Sequence, residues 1–280
     1  MEVGSTKLNA KHGGRLAPSA SELSAMTRMF SSGVFREMGK KGRSPLFSRL
    51  IKLTELPARC SSDATVADVF ESAFNVLNTA GLRDEYVYRA ALTRKVLMGK
   101  HSLRTACMLH EFRAGSCKAD LAILNGTATV YEIKSERDSL SRLSNQIANY
   151  KKVFAKIYVI AGADHVPSVI EVVPSDIGVL MLSPRYQIST VREAEERPDR
   201  ICPATVFESL RSAEASAILK ELGVEMPEVP NTQRHAVMRE HFSRLDPASV
   251  HRSMVETLKR SRDLAPLSAL VEKLPRSLHA

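Results

Sequence analysis

Two carboxylates and an ammonium group lie close together near the middle of this 280-residue chain: Asp120, then eleven residues, then Glu132, Ile133 and Lys134. Oxygen donors of this kind suit a hard divalent cation such as Mg²⁺ or Mn²⁺. Such an ion takes one or two protein carboxylates and keeps the rest of its shell for water and phosphate oxygens. Asp120, Glu132 and the Ile133 carbonyl would supply the protein's share. A lysine beside them can orient an attacking water or steady charge developing on a phosphoryl group. The chemistry implied is hydrolysis of a phosphodiester bond.

These groups can meet only if the segments carrying them share a face. Residues 119–124 and 128–134 are short, apolar and partly β-branched, and Asn125-Gly126 between them is a hairpin signal. A two-residue loop at Asn125-Gly126 would set Asp120 opposite Tyr131 and turn Glu132 to the other face, because side chains alternate. A three-residue loop, Leu124-Asn125-Gly126, with Gly126 left-handed, pairs Ile123 with Thr127 and Asp120 with Val130. Asp120, Glu132 and Lys134 then share one face, so the chemistry predicts an odd-length turn or an equivalent bulge.

A helix is predicted behind the hairpin, between Asp138 and Lys156, with Asp138 or Ser139 as N-cap. Leu143, Ile147, Val153 and Phe154 form its apolar stripe. Arg142, Gln146 and Tyr150 recur every four residues as a separate polar row.

Asp120, the Glu132-x-Lys134 tripeptide and Gln146-x-x-x-Tyr150 together resemble the PD-(D/E)XK nuclease superfamily, in its RecB-like branch with the Q-x-x-x-Y motif, over about residues 83–183. Ala119 stands where the motif has its proline, a change that costs no ligand. The resemblance implies a restriction-endonuclease-like α-β-β-β-α-β core and a Mg²⁺- or Mn²⁺-dependent deoxyribonuclease. It assigns Asp120, Glu132, Lys134 and Gln146 to catalysis and places Arg142 and Tyr150 on the substrate. It also implies a further acid on the metal, supplied by Glu85 on a preceding helix or by Glu111 on the first strand, and strand parity does not choose between them. The resemblance points toward uncharacterised bacterial, phage and mobile-element proteins, and so toward genome defence, element maintenance or repair. The alternative is a catalytically inactive nucleic-acid-binding or regulatory module on the same fold.

Composition frames this reading. Forty Lys and Arg against 31 Asp and Glu give a net charge of +9, and residues 1–60 hold eleven of the cations against four acids. That bias predicts a basic, partly disordered N-terminal arm over residues 1–60, with a short helix near Ser21–Met29, that touches a phosphate backbone. A nuclease core is expected over 61–184 and a helical region over 185–280. The partner is a nucleic acid, DNA first, and homodimerisation is left open. The first thirty residues lack the apolar core of a secretory signal and no run reaches membrane-spanning length, so neither export nor a membrane is expected. Cys60, Cys107, Cys117 and Cys202 show no paired spacing, which argues for reduced thiols in the cytoplasm and implies no zinc. Gly33 and Gly39-Lys40 imitate a phosphate-binding loop, but the glycine spacing is one too long and Lys41 stands where Ser or Thr is needed.

The remaining pattern predicts an α/β chain with a mixed sheet. Helices are expected over 65–80 and 84–97, then a three-strand meander beginning at Ala106–Arg113, strands over 156–161 and 178–182, and a helix near 166–173. After Pro184 only helices are expected, over 205–222, 233–245 and 249–262, the last capped by Asp246-Pro247.

Overall fold

The computed structural model of the chain describes residues 17–263 except Ser62, Ala80 and Arg137. Residues 1–16, the start of the predicted arm, lie outside the described residues. From there on the arm is not what forms. Helices α1 (Ala20–Met29), α2 (Ser32–Lys41), α3 (Pro45–Ile51) and α4 (Leu56–Arg59) pack with α5 (Val66–Leu77) into a helical bundle. Ser19 opens α1 with a capping box, its hydroxyl accepting from the Glu22 N–H while the Glu22 carboxylate accepts from the Ser19 N–H. Leu23, Met26, Met29, Phe47 and Leu50 turn inward against Phe70 and Phe74. Apolar residues three or four apart close this core, and the Ser, Lys and Arg that suggested disorder lie largely on its outer side. The expected division at residue 60 falls inside this cluster.

The bundle leans on α6 (Glu85–Leu92), which runs through a five-residue π-helical turn (Thr93–Leu97) into α7 (Met98–Lys100). Arg83, just before α6, is 1 % exposed, although among the described residues it pairs with no carboxylate. Its guanidinium donates to three carbonyls instead: Ser183 at 2.7 Å, Pro184 at 2.8 Å and Asn78 at 3.1 Å. It thereby ties the start of α6 to the far side of the sheet.

The strands are β1 (Cys107–Ala114), β2 (Cys117–Asn125), β3 (Thr127–Lys134), β4 (Lys156–Gly162), β5 (Gly178–Leu182) and β6 (Ile188–Arg192). Among the described residues they form one sheet in sequence order. β1, β2 and β3 are antiparallel, β3 to β5 parallel, and β6 returns antiparallel on β5. The two parallel steps need crossovers, supplied by α8 (Leu143–Tyr150) and α9 (Val166–Val172). This is the expected α-β-β-β-α-β order in a mixed sheet. Ala128, Val130, Ile157 and Val159 face one way, onto α8, α9 and the C-terminal helices α10 (Pro203–Ser209), α11 (Ser212–Glu221), α12 (Asn231–Ser243) and α13 (Pro247–Ser261). Tyr131, Ile133, Tyr158 and Ile160 face the other way, onto α6 and its π turn.

Other expectations shift. The strands do not stop at Pro184: Ile188-Ser-Thr-Val-Arg adds a short, half-exposed edge strand. The helix expected over 205–222 breaks at Leu210, which is extended, because the buried Glu214 carboxylate accepts from the Arg211 N–H at 2.8 Å and starts α11 afresh. The helix behind the hairpin is shorter than predicted and begins at Leu143. Asp138 does not cap it because its carboxylate accepts from the Ser135 N–H and hydroxyl, at 2.8 and 2.7 Å. α13 begins as expected, with the Asp246 carboxylate accepting from the Ser249 N–H. No helix among the described residues is long and apolar enough to cross a membrane.

Candidate functional site

The hairpin that carries the site turns at Gly126 (φ +73°), with Asn125 level with Thr127 and Leu121 level with Tyr131. The expected pairing of Ile123 with Thr127 and Asp120 with Val130 is therefore displaced by two residues. Parity survives a shift of two, so Asp120 comes level with Glu132 and shares its face. Backbone pairing of β2 with β3 goes no further than Leu121 and Tyr131. Beyond that point the Ile133 N–H donates to Asp120 Oδ2 at 2.8 Å, so a side chain takes the place of a ladder partner. The site opens where the two strands part.

Glu132 and Lys134 are almost sealed, at 1 % and 4 % exposure. Lys134 Nζ donates to Glu132 Oε1 at 2.8 Å and to Gln146 Oε1 at 3.0 Å. The Tyr150 hydroxyl lies 2.6 Å from Glu132 Oε2 and 2.9 Å from the Lys118 carbonyl. The row on α8 thus descends from solvent into the sheet: Arg142 is exposed, Gln146 half-buried and Tyr150 buried. The resemblance places Tyr150 on the substrate; in the structure its hydroxyl bonds the Glu132 carboxylate. α8 is held to the β1–β2 turn as well. Asn149 Oδ1 accepts from the Ser116 N–H at 3.2 Å, and a Cβ on Gly115 (φ +59°) would come within 2.3 Å of that oxygen.

Burial first, and the Glu132 charge second, push the Asp120 carboxyl up to about 8, against the pull of the Ile133 N–H and Lys134. Glu85 adds to the same effect, so it stands within electrostatic reach of Asp120. Its own carboxyl is raised by burial, partly offset by Arg89, with which it forms an ion pair at 3.2 Å. The Glu85 and Glu111 side chains are both exposed, and Glu111 is paired with Lys118 at 3.3 Å. Of the two, Glu85 is the one whose charge reaches the Asp120 carboxyl.

Glu111 matters to the backbone. It holds a left-handed conformation (φ +51°) opposite Asp120, at a gap in the β1–β2 pairing. On either side of the gap Leu109 and Phe112 face the same core, as do Ala119 and Ala122, although strict alternation would separate residues three apart. The ribbon is kinked at Glu111 and Asp120, at a cost of about 1–3 kcal/mol for a non-glycine residue in this region. The spacing Leu109-x-x-Phe112 and Ala119-x-x-Ala122 carried that signal in the sequence.

Among the described residues no three Asp, Glu, His or Cys side chains converge closely enough to cage a metal ion. Two carboxylates and the Ile133 carbonyl suit Mg²⁺ or Mn²⁺, which keep several waters, far better than Zn²⁺. A cation would share the Glu132 oxygens with Lys134 and Tyr150, using lone pairs those bonds leave open. Beside the site, a groove of about 730 Å³ runs between α1–α2 and α6, bordered by Arg28, Arg36, Arg89, Glu85 and His110.

The sheet and the half-buried Asp120, with buried Glu132 and Lys134, lie within a stretch that can be classed. Residues 78–265 match the family described as Bacteriophage P4 protein cII, and the chain belongs to that family. Protein cII of Enterobacteria phage P4 is 34 % identical over 108 residues, which is 38 % of this chain and 40 % of that protein. A solved protein of unknown function from Silicibacter pomeroyi matches over 50 % of this chain and 94 % of its own, at 19 % identity and a TM-score of 0.33.

Proposed function

We propose that this member of the family is a divalent-metal-dependent nuclease that hydrolyses phosphodiester bonds, DNA first, on the PD-(D/E)XK plan. The observation that carries the reading is the half-buried Asp120 level with the buried Glu132 where β2 and β3 part, with buried Lys134 on the same face. Two such carboxylates repel each other, and Asp120 shows it in its raised affinity for a proton. A cation between them would relieve that repulsion.

Asp120, Glu132 and the Ile133 carbonyl would hold Mg²⁺ or Mn²⁺, with Glu85 near enough to contribute to the field. When bound, the ion supplies Lewis-acid stabilisation of phosphoryl oxygens and makes water more acidic. Lys134 presents its remaining proton to the attacking water or to a phosphate oxygen and opposes charge growing in the transition state. Gln146 fixes the lysine head, and Tyr150 fixes the Glu132 carboxylate. Arg142, exposed one turn before Gln146, faces where a phosphate backbone would pass. Arg28, Arg36 and Arg89 carry positive charge along the groove that leads to Glu85. Phage or mobile-element maintenance, defence or repair fits a family described by a bacteriophage protein.

The test is incubation of the full chain with plasmid, linear duplex, single-stranded DNA and RNA, in Mg²⁺, in Mn²⁺ and in chelator. Asp120→Ala and Glu132→Ala should abolish cleavage, and Lys134→Ala should reduce it about 10²- to 10³-fold. Binding without cleavage in every arm would instead identify a nucleic-acid-binding module that retains its buried charges as structure.

A further inference from the structure

Across the sheet from Glu132 and Lys134, the π turn, α7 and strands β2 to β6 surround a cavity of about 340 Å³. That volume lies at the lower end of the roughly 300–1,000 Å³ found for small-molecule sites. Its charges are unbalanced: Lys95, Lys100 and Lys156 border it with His101, against a single carboxylate, Glu193. Glu193 is already engaged, because it accepts a hydrogen bond from the Tyr158 hydroxyl. Among the described residues Lys95 meets neutral groups, Gln187 Oε1 at 3.0 Å and the Tyr186 ring at 5.3 Å. Neither Lys100 nor Lys156 has a carboxylate within ion-pair distance among the described residues.

Two further observations point to a ligand. Thr127 lines the cavity, and its Oγ1 lies buried with no hydrogen-bond partner among the described residues. Buried hydroxyls are nearly always satisfied, so an unsatisfied one calls for an explanation. Lys95 is carried by the π turn, an irregularity that often marks functional sites in helices. The floor is aromatic, with the Tyr131 and Tyr158 rings stacked 5.6 Å apart at 10°.

We infer that this cavity binds a mononucleotide, its phosphates held by Lys95, Lys100 and Lys156 and its base set against the Tyr131–Tyr158 pair. The inference does not rest on the nuclease reading, since none of its residues belongs to the site around Glu132. Burial and the nearby Arg94 hold the Lys95 ammonium below the usual lysine range, as a crowded cation without a counter-ion should be.

The experiment is calorimetric titration of the full chain, in chelator, with ADP, GDP, CDP and UDP, and separately with inorganic pyrophosphate. At least one nucleotide should saturate a single site and bind more tightly than pyrophosphate, because only the nucleotide uses the aromatic floor. Lys100→Ala and Lys156→Ala should each weaken it about tenfold, the worth of one charge-assisted hydrogen bond. Lys100 is exposed and Lys156 half-buried, so circular dichroism should show folded variants. Lys134→Ala should leave the affinity unchanged. The inference is overturned by no saturation below about 1 mM, by pyrophosphate matching every nucleotide, by unchanged affinity in the Lys100→Ala/Lys156→Ala double variant, or by loss of binding in Lys134→Ala.

Discussion

The Tyr150 hydroxyl has one proton and two acceptors, Glu132 Oε2 at 2.6 Å and the Lys118 carbonyl at 2.9 Å. It bridges the two parting strands and fixes the rotation of the Glu132 carboxylate. Partners of this kind around a metal site cost about 10- to 100-fold in metal affinity or activity when removed. Tyr150→Phe keeps the ring packing and should shift the Mg²⁺ midpoint of cleavage upward by about that factor. Its stability should drop by about 1–3 kcal/mol, the cost of leaving a buried acceptor unpaired. A metal titration with an unmoved midpoint would show that the phenol does not set the carboxylate.

Asp120 should impose an unusual pH dependence on stability. Its native carboxyl holds a proton up to about pH 8, whereas an unfolded aspartate releases it near about pH 3.9. The native state therefore binds the extra proton in that window, and stability falls as pH rises through it. His251 acts oppositely at lower pH. Burial pushes it down to about 4, and its Nε2 accepts from the Ala128 N–H, so the unfolded state takes up the proton first and stability is lost as pH falls below about 6.5. Between about pH 6.5 and 8 the Asp120 slope stands clear of His251. Denaturation of metal-free protein should show stability declining over that interval, and Asp120→Asn should flatten the decline. Mn²⁺ at pH 8 should raise the melting temperature of the parent and not of this variant. Equal slopes in parent and variant would remove Asp120 as the cause.

Arg83 offers a test of the fold away from the site. Arg83→Ala leaves three carbonyls and a large volume unfilled, and should cost about 3–5 kcal/mol, as removing one partner of a buried charged network does. Arg83→Lys should recover only part, because an ammonium cannot span the fork between Ser183 and Pro184. Urea denaturation measures both, and a loss under about 1 kcal/mol for the alanine variant would contradict the anchoring role.

The groove beside the site gives a salt-dependent prediction. Deleting the N-terminus through residue 45 would strip α1 and α2 from the bundle, so point variants are the sharper probe. Arg28→Ala with Arg36→Ala should weaken duplex binding evenly across sequences and flatten the salt dependence by about 0.9 log-log units for each phosphate that is no longer neutralised. Cleavage at saturation should stay at the parental rate. Unchanged salt slopes in filter-binding titrations would place the nucleic acid elsewhere.

The parts legible in the sequence were those fixed by short-range pattern. Gly126 and the apolar runs beside it named the hairpin, and the need to bring Asp120 to Glu132 selected an odd-length turn. The exact register was not legible, because loops of one and three residues leave the same side chains on the same face. Asp138 looked like a helix cap because its type and position suit one; that Ser135 claims its carboxylate depends on where the chain goes after β3. Composition misled most between residues 20 and 59, where basic and small residues hid a periodic apolar stripe that needs Phe70 and Phe74 to close over it. Glu85 and Glu111 could not be ranked, since a single left-handed residue at Glu111 turns that side chain out to solvent.

In β3, neighbouring residues serve different compartments of the molecule. Glu132 and Lys134 point to α8, while Thr127, Thr129 and Tyr131 line the cavity beneath the π turn. One strand is thus read twice, in two interleaved frames of every second residue. Losing or gaining a single residue inside it would exchange the frames, sending the acid and lysine into the basic cavity and the tyrosine into the helical core. Drift in this segment is consequently restricted to substitutions, each heard on one side of the sheet only, and length changes are pushed out to the loops that flank it.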